Sequence, residues 1–197
     1  MTVWWVDLDA PPDGLRRILG GVLGIPPVEV RFDRHCRRCG HPTHGRPELA
    51  GGDGPSFSLA RADGVALVAV SDSLTVGADV EAIDRPWPEI GRVAFTPEER
   101  AWLAASGAEH RARLSADLWT RKEAVVKALG VGLAAPLTSF DGRGDVVRVD
   151  GEPSVGVQSI PAPHGLVAAL AHSPIVAAGD DHAAVLARCA DMSAWRC

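Results

Sequence analysis

Trp119-Thr120-Arg121-Lys122-Glu123-Ala124-Val125-Val126-Lys127 is the stretch on which the fold turns. It sits inside residues 115–129, a run of good helix formers with no glycine or proline until Gly130, which suits a helix C-cap. Residues four apart share a helical face, so Trp119, Glu123 and Lys127 form one stripe. An indole, a carboxylate and an ammonium in one column suit neither a face that is simply buried nor one that is simply wet. By itself the stripe also reads as a packed tryptophan beside a solvated Glu–Lys pair worth about 0.3–0.5 kcal/mol.

A second acidic element lies upstream. Val76-Gly77-Ala78-Asp79-Val80-Glu81 follows an apolar run at 65–70 and a polar break, Ser71-Asp72-Ser73, which predicts a hairpin and its second strand. Alternation along a strand puts Asp79 and Glu81 on one face and Val80 on the other. Two carboxylates about 7 Å apart repel, and burying them without a counter-charge is costly. A divalent cation removes that cost. Mg²⁺ takes a few carboxylates together with waters and substrate phosphates, and Glu123 is the candidate third ligand beside Asp79 and Glu81. The acidic pair alone also suits a wet strand face.

Asp79-Val80-Glu81 followed by Trp119-x-x-Lys122-Glu123-x-x-x-Lys127-Ala128-x-Gly130 resembles the signature of the surfactin-type 4′-phosphopantetheinyl transferases. The resemblance extends through Phe95-Thr96-Pro97-Glu98-Glu99 between the motifs and Gly132-Leu133-x-x-Pro136-Leu137-x-x-Phe140 after them. Gly45-Arg46-Pro47 resembles the family's Gly-Lys-Pro element. Order and spacing agree from about Leu15 to His172.

The chain's 197 residues suffice for one large domain or two small ones. A formal charge of −5 gives no support to nucleic-acid binding, and no apolar run approaches membrane-spanning length. The N-terminal residues from Met1 to Asp9 read as a first strand, not a signal peptide, so a cytoplasmic protein is expected, and a monomer. Residues 13–23 carry Leu15, Ile18, Leu19 and Val22 at helical spacing, Pro26-Pro27 ends that helix, and 28–32 returns as a strand. Relatives in the family carry several dozen residues, including basic ones that hold coenzyme A, between the first strand and this helix; here Asp9-Ala10-Pro11-Pro12 runs almost directly into it.

Arg31, Arg34, Arg37, Arg38 and Arg46, with His35, His41 and His44, form the most basic stretch of an acidic chain. Guanidinium groups bind phosphate in a bidentate fork, and Arg46, at the family's lysine position, is the leading candidate for the coenzyme A phosphates. The other arginines read first as a solvated basic loop. Cys36, Cys39, His41 and His44 have zinc-knuckle character, yet the cluster is compact for closing on one ion; reduced loop thiols rank ahead of zinc, and zinc ahead of a redox pair. In Ser56-Phe57-Ser58-Leu59-Ala60-Arg61-Ala62, the last three residues stand where relatives have Ser-His-Ser, which binds coenzyme A phosphates in the family. Arg61 keeps positive charge there, whereas alanine supplies no hydroxyl.

Residues 82–88 read as a proline-containing connection, and Thr96-Pro97-Glu98-Glu99 as a capping box opening a helix to about Ala105. A loop at 106–109 precedes the Trp119 helix; in the family it presents a surface of apolar side chains to the carrier, for which Trp87 and Trp102 are candidates, though each reads first as simple core. Strands are predicted at 138–140, 146–149, 154–160 and 166–171, and a short helix at 181–190. The resemblance implies an α+β fold of two pseudo-symmetric halves, each a small antiparallel sheet packed with a long helix, with the active site at the seam. The expected divisions are 1–81, 82–180 and a tail at 181–197.

The implied activity is Mg²⁺-dependent transfer of phosphopantetheine from coenzyme A to a serine of an acyl or peptidyl carrier protein, releasing 3′,5′-ADP. Asp79, Glu81 and Glu123 are the metal ligands, Glu123 or a metal-bound water beside it the base, and Lys127 the cation at the departing nucleotide. Arg46, Arg61 and Lys122 are the phosphate contacts, Lys122 the weakest because its helical angle differs by about 100° from that of Glu123. Trp119 is taken as structural. The shortened N-terminus and lost hydroxyls also suit a relative that binds a carrier or coenzyme A without transfer, or one redirected to other chemistry.

Overall fold

The apolar run at 65–70 forms the middle of a sheet because both of its edges find partners. In the computed structural model, β4 (Ser56–Ala62) turns through Asp63 and Gly64, both with positive φ, into β5 (Val65–Ser71). Asp-Gly is the pairing that a two-residue hairpin turn favours. The far edge of β5 is taken by β1 (Thr2–Asp7), giving a three-stranded antiparallel sheet of order β1-β5-β4. The structure describes residues 1–7, 13–34, 45–52, 54–131 and 136–174. The Cys36, Cys39, His41, His44 cluster and the 181–197 tail lie outside them.

Helix α1 (Gly14–Leu23) covers the outer face of this sheet, with Leu19 and Val30 buried against Phe57, Val68 and Val70. A 3-10 turn at Pro27–Glu29 replaces the start of the strand expected at 28–32. It leads to a two-stranded ribbon, β2 (Phe32–Arg34) with β3 (Pro47–Leu49).

Since β5 has no free edge, β6 (Leu74–Ala82) does not fold back on it as a hairpin. Residues Ser71-Asp72-Ser73 carry the chain out of the first sheet, and β6 pairs along its whole length with β9 (Leu166–Pro174). With β7 (Val146–Val147) and β8 (Val155–Ile160) they make a four-stranded antiparallel sheet of order β6-β9-β8-β7. The strand bearing Asp79 and Glu81, which a boundary after Glu81 assigns to the first half, is hydrogen-bonded into the second.

Leu74, Val76, Ala78 and Val80 of β6 face Ala60, Leu67 and Ala69 of the first sheet across one apolar layer, with Leu166, Ala168 and Leu170 of β9. The free edge of β6 is capped by side chains. Ser56 Oγ accepts from the Val76 amide at 3.1 Å and Ser58 Oγ from the Ala78 amide at 2.9 Å.

The other face of the second sheet carries α4 (Ala108–Leu129), 22 residues that start seven before the expected Ser115 and end at Gly130 in the left-handed conformation. Before it come α2 (Trp87–Ala94), which starts at the end of the expected 82–88 connection and runs on past it, and α3 (Pro97–Ala105). The capping box of α3 is present in both directions, between Thr96 and Glu99. Residues Leu137–Ser139 form a 3-10 turn in place of a strand. The α+β class is therefore as expected, but the halves are unequal: the first is covered by a helix of 10 residues and the second by one of 22.

Gly77 sets how closely α4 lies on β6. A Cβ there would stand 1.9 Å from the Ala124 carbonyl oxygen and 2.6 Å from the Ala128 amide nitrogen, both backbone atoms. A glycine inside a strand marks such an approach of one backbone to another. Gly77→Ala is expected to destabilise the fold by about 3 kcal/mol or more, at or beyond the upper end of ordinary overpacking, measured by urea unfolding.

Candidate active site

Alternation along β6 places Gly77, Asp79 and Glu81 toward α4, opposite the apolar layer made by Val76, Ala78 and Val80. The stripe of Trp119, Glu123 and Lys127 on α4 meets this face in antiparallel sense. At one end Lys127 Nζ lies 2.5 Å from Asp79 Oδ1 and 3.3 Å from the Ala78 carbonyl oxygen. At the other, Trp119 Nε1 donates to Glu81 Oε1 at 3.0 Å. Glu123 stands between them, coupled electrostatically to Lys127, Glu81 and Asp79. Three acids and one ammonium from separate parts of the chain thus converge.

Sequence reasoning passed over Arg85, which pairs with Glu81 Oε2 from the turn after β6. Its guanidinium also lies 5.8 Å from the centre of the Trp87 ring, which in turn tilts against Trp119 at 6.5 Å. The opposite charges at 81 and 85 are the signal in the sequence, four apart across the end of the strand and the proline-containing 82–88 connection. Trp119, expected to be structural, orients one oxygen of Glu81 while Arg85 orients the other.

The electrostatics are those of a group lacking a charge. Burial, only partly countered by Lys127 and reinforced by Glu123 and Glu81, raises the Asp79 carboxyl from 3.8 to about 7. Burial also raises Glu123, against the pull of Lys127 and with the push of Glu81. Asp79 Oδ2 is buried with no hydrogen-bond partner, and the Glu123 carboxylate accepts no hydrogen bond among the described residues. These are hard oxygen donors of the kind Mg²⁺ takes. Among the described residues, however, no three His, Cys, Asp or Glu side chains stand close enough together to hold an ion. Instead the Lys127 ammonium holds Asp79.

Lys122, expected at the phosphates, is not brought to this group. It is 0 % exposed, its Nζ 2.5 Å from Glu99 Oε2 and 2.7 Å from the Phe140 carbonyl oxygen, above the Phe140 ring. The 100° turn from Glu123 to Lys122 carries its side chain into the core beneath α3 and the 137–142 segment. Arg61 is exposed on β4, and its side chain makes no hydrogen bond or ion pair among the described residues. Arg46 donates to oxygens of Lys127, Ser56 and Phe57.

Residues 75–186 match the family model of the 4′-phosphopantetheinyl transferase superfamily. The chain is 36% identical over 128 residues to the 4′-phosphopantetheinyl transferase HetI of a Nostoc species, covering 61% of this chain and 50% of that one. It is 30% identical over 128 residues to a putative 4′-phosphopantetheinyl transferase of a Synechocystis species, covering 62% of this chain and 49% of that one. To a 4′-phosphopantetheinyl transferase of Bacillus subtilis it is 26% identical over 152 residues, covering 73% and 63%. The chain thus spans about half the length of the first two of these relatives.

Two predictions separate the charged groups. Because the folded-state pKa of Asp79 is raised from 3.8 to about 7, its stabilising contribution is complete below about pH 4 and is lost as pH rises through about 7. Asp79→Asn should therefore melt above the wild type in chelator at about pH 8, with the gap closing toward about pH 5, by thermal unfolding. Lys122→Ala leaves Glu99 buried without its counter-charge and is expected to cost about 3–5 kcal/mol in denaturant unfolding.

Proposed function

Because the chain belongs to the 4′-phosphopantetheinyl transferase superfamily, we propose that it is a surfactin-type transferase. It moves phosphopantetheine from coenzyme A to a serine hydroxyl of an acyl or peptidyl carrier protein. The observation that carries this reading is the convergence of Asp79, Glu81, Glu123 and Lys127, with Lys127 Nζ 2.5 Å from Asp79. A phosphoryl-type transfer asks a protein for positioning and charge placement more than for covalent chemistry.

With Lys127 paired to Asp79 the three carboxylates are not grouped closely enough to hold an ion; were that pair to open and the three to draw together, Asp79, Glu81 and Glu123 would be the ligands of a Mg²⁺, which when bound supplies positive charge to the pyrophosphate oxygens. The serine oxygen attacks the β-phosphorus, the bond from that phosphorus to the bridging oxygen breaks, and 3′,5′-ADP departs with the electron pair. Glu123 takes the serine proton, a role favoured by burial, which raises its proton affinity. Lys127, released from Asp79, offers its ammonium to the leaving phosphate. Trp119 and Arg85 fix Glu81 in place, and Arg61, exposed on β4, is the cation available to the nucleotide end.

A cytoplasmic monomer belongs to the same reading. No helix among the described residues is long and apolar enough to cross a membrane.

The rival reading, a carrier or coenzyme A binder without transfer, draws on Ala60 and Ala62, which supply no hydroxyl. Intact mass of an apo-carrier incubated with coenzyme A, Mg²⁺ and the protein tests the two. Addition of one phosphopantetheine is expected, and an unchanged carrier mass overturns the proposal. Glu123→Ala should reduce the rate by about 10²–10⁴-fold while leaving the thermal unfolding transition in place.

A further inference from the structure

The guanidinium of Arg46 sits where the first sheet, the edge of β6 and the last turn of α4 meet. One of its terminal nitrogens donates to the Lys127 carbonyl at 3.0 Å, across 81 residues of sequence. That carbonyl lies in the last turn of α4, where it also accepts from the Gly130 amide at 3.2 Å and where the helix dipole favours a positive charge. The other terminal nitrogen donates at 2.7 Å to both Ser56 Oγ and the Phe57 carbonyl of β4. Ser56 Oγ also accepts from the Val76 amide, three residues before Asp79 on β6.

One planar cation therefore joins the backbone of Lys127 to the strand that carries Asp79, and the Lys127–Asp79 contact spans the same two elements. We propose that Arg46 is a positioning residue, setting the offset between α4 and β6 so that Glu123 and Lys127 face Asp79. The inference rests on the transfer reading for what the group does, and on the hydrogen bonds alone for how it is held. A lysine ammonium in its place carries the same charge but lacks the rigid fork that reaches a helix end and a strand at once.

The test compares Arg46→Lys, Arg46→Met and Ser56→Ala with the wild type, reading kcat and the KM for coenzyme A separately. Positioning predicts that Arg46→Lys and Ser56→Ala each lower kcat by about 10–100-fold while KM changes by less than about twofold. It also predicts that the Arg46→Lys, Ser56→Ala double variant loses less than the product of the single losses, because the two residues share one hydrogen bond. A direct phosphate contact predicts the reverse: Arg46→Lys close to wild type, Arg46→Met with KM raised by about tenfold or more, and independent effects; that pattern overturns the proposal. Should the wild type transfer nothing, the transfer reading fails on its own, and hydrogen exchange of residues 126–130 decides the positioning. Exchange at least about tenfold faster in Arg46→Lys supports it, and unchanged exchange overturns it.

Discussion

Everything at the candidate site depends on a contact between two backbones. At Gly77 the strand surface is bare, and α4 settles on it until the Ala124 carbonyl oxygen would be 1.9 Å from any added Cβ. A helix rises about 6 Å over four residues and a strand about 6.6 Å over two, so side chains four apart on one meet side chains two apart on the other. With Gly77 beneath Ala124 and Ala128, Lys127 falls beside Asp79, and Trp119 reaches Glu81 from the far end of the stripe. Ala169 and Ala171 of β9 continue the low surface on which the helix rests.

The two acid–lysine pairs that flank α4 show how one type of interaction serves two ends. Glu99 and Lys122 are both 0 % exposed, and the carboxylate is fully provided for: Oε1 accepts from the Gly142 amide, Oε2 from the Thr96 amide and from Lys122. Such a pair holds α3, α4 and the 137–142 segment in register, and it has no capacity left for a ligand. Asp79 and Lys127 are the same chemical pair left incomplete. Asp79 Oδ2 has no partner, Lys127 is partly open to solvent, and two further carboxylates press on the site. Buried polar groups in folded proteins are nearly always satisfied, so an oxygen left over beside like charges marks a place arranged for something other than stability.

The local elements were legible in the sequence because their causes are local. The capping box at Thr96–Glu99, the Gly130 terminus and the shared faces of Trp119, Glu123 and Lys127, and of Asp79 and Glu81, follow from spacing and residue type. What stayed hidden depends on partners far along the chain. Nothing near Ser71-Asp72-Ser73 says that β5 is already flanked by β1 and β4, so the expected hairpin fails and β6 pairs with β9 instead. The helical angle of Lys122 already makes it the weakest phosphate candidate; only the placement of Glu99 and Phe140 shows that it is enclosed. Ser56 and Ser58 gave no sign in the sequence that their hydroxyls would cap the edge of a strand in another sheet.

One departure of this chain from its family, Ala60-Arg61-Ala62 in place of Ser-His-Ser, falls on the first sheet, and the geometry gives that sheet a second use. Ala60 lies in the apolar layer against β6, packed with Val3, Leu67 and Ala69, where a hydroxyl would need a partner of its own. Two and four residues earlier on the same face, Ser58 and Ser56 do carry hydroxyls, and both accept from the amides of β6. Along β4 the polar positions thus serve the neighbouring strand edge, and the apolar ones the layer between the sheets. The first sheet acts as a brace: it satisfies the open edge of β6, and through Arg46 it reaches the end of α4. Bracing both elements from one side leaves the opposite side of the β6–α4 contact free to be shaped by charge.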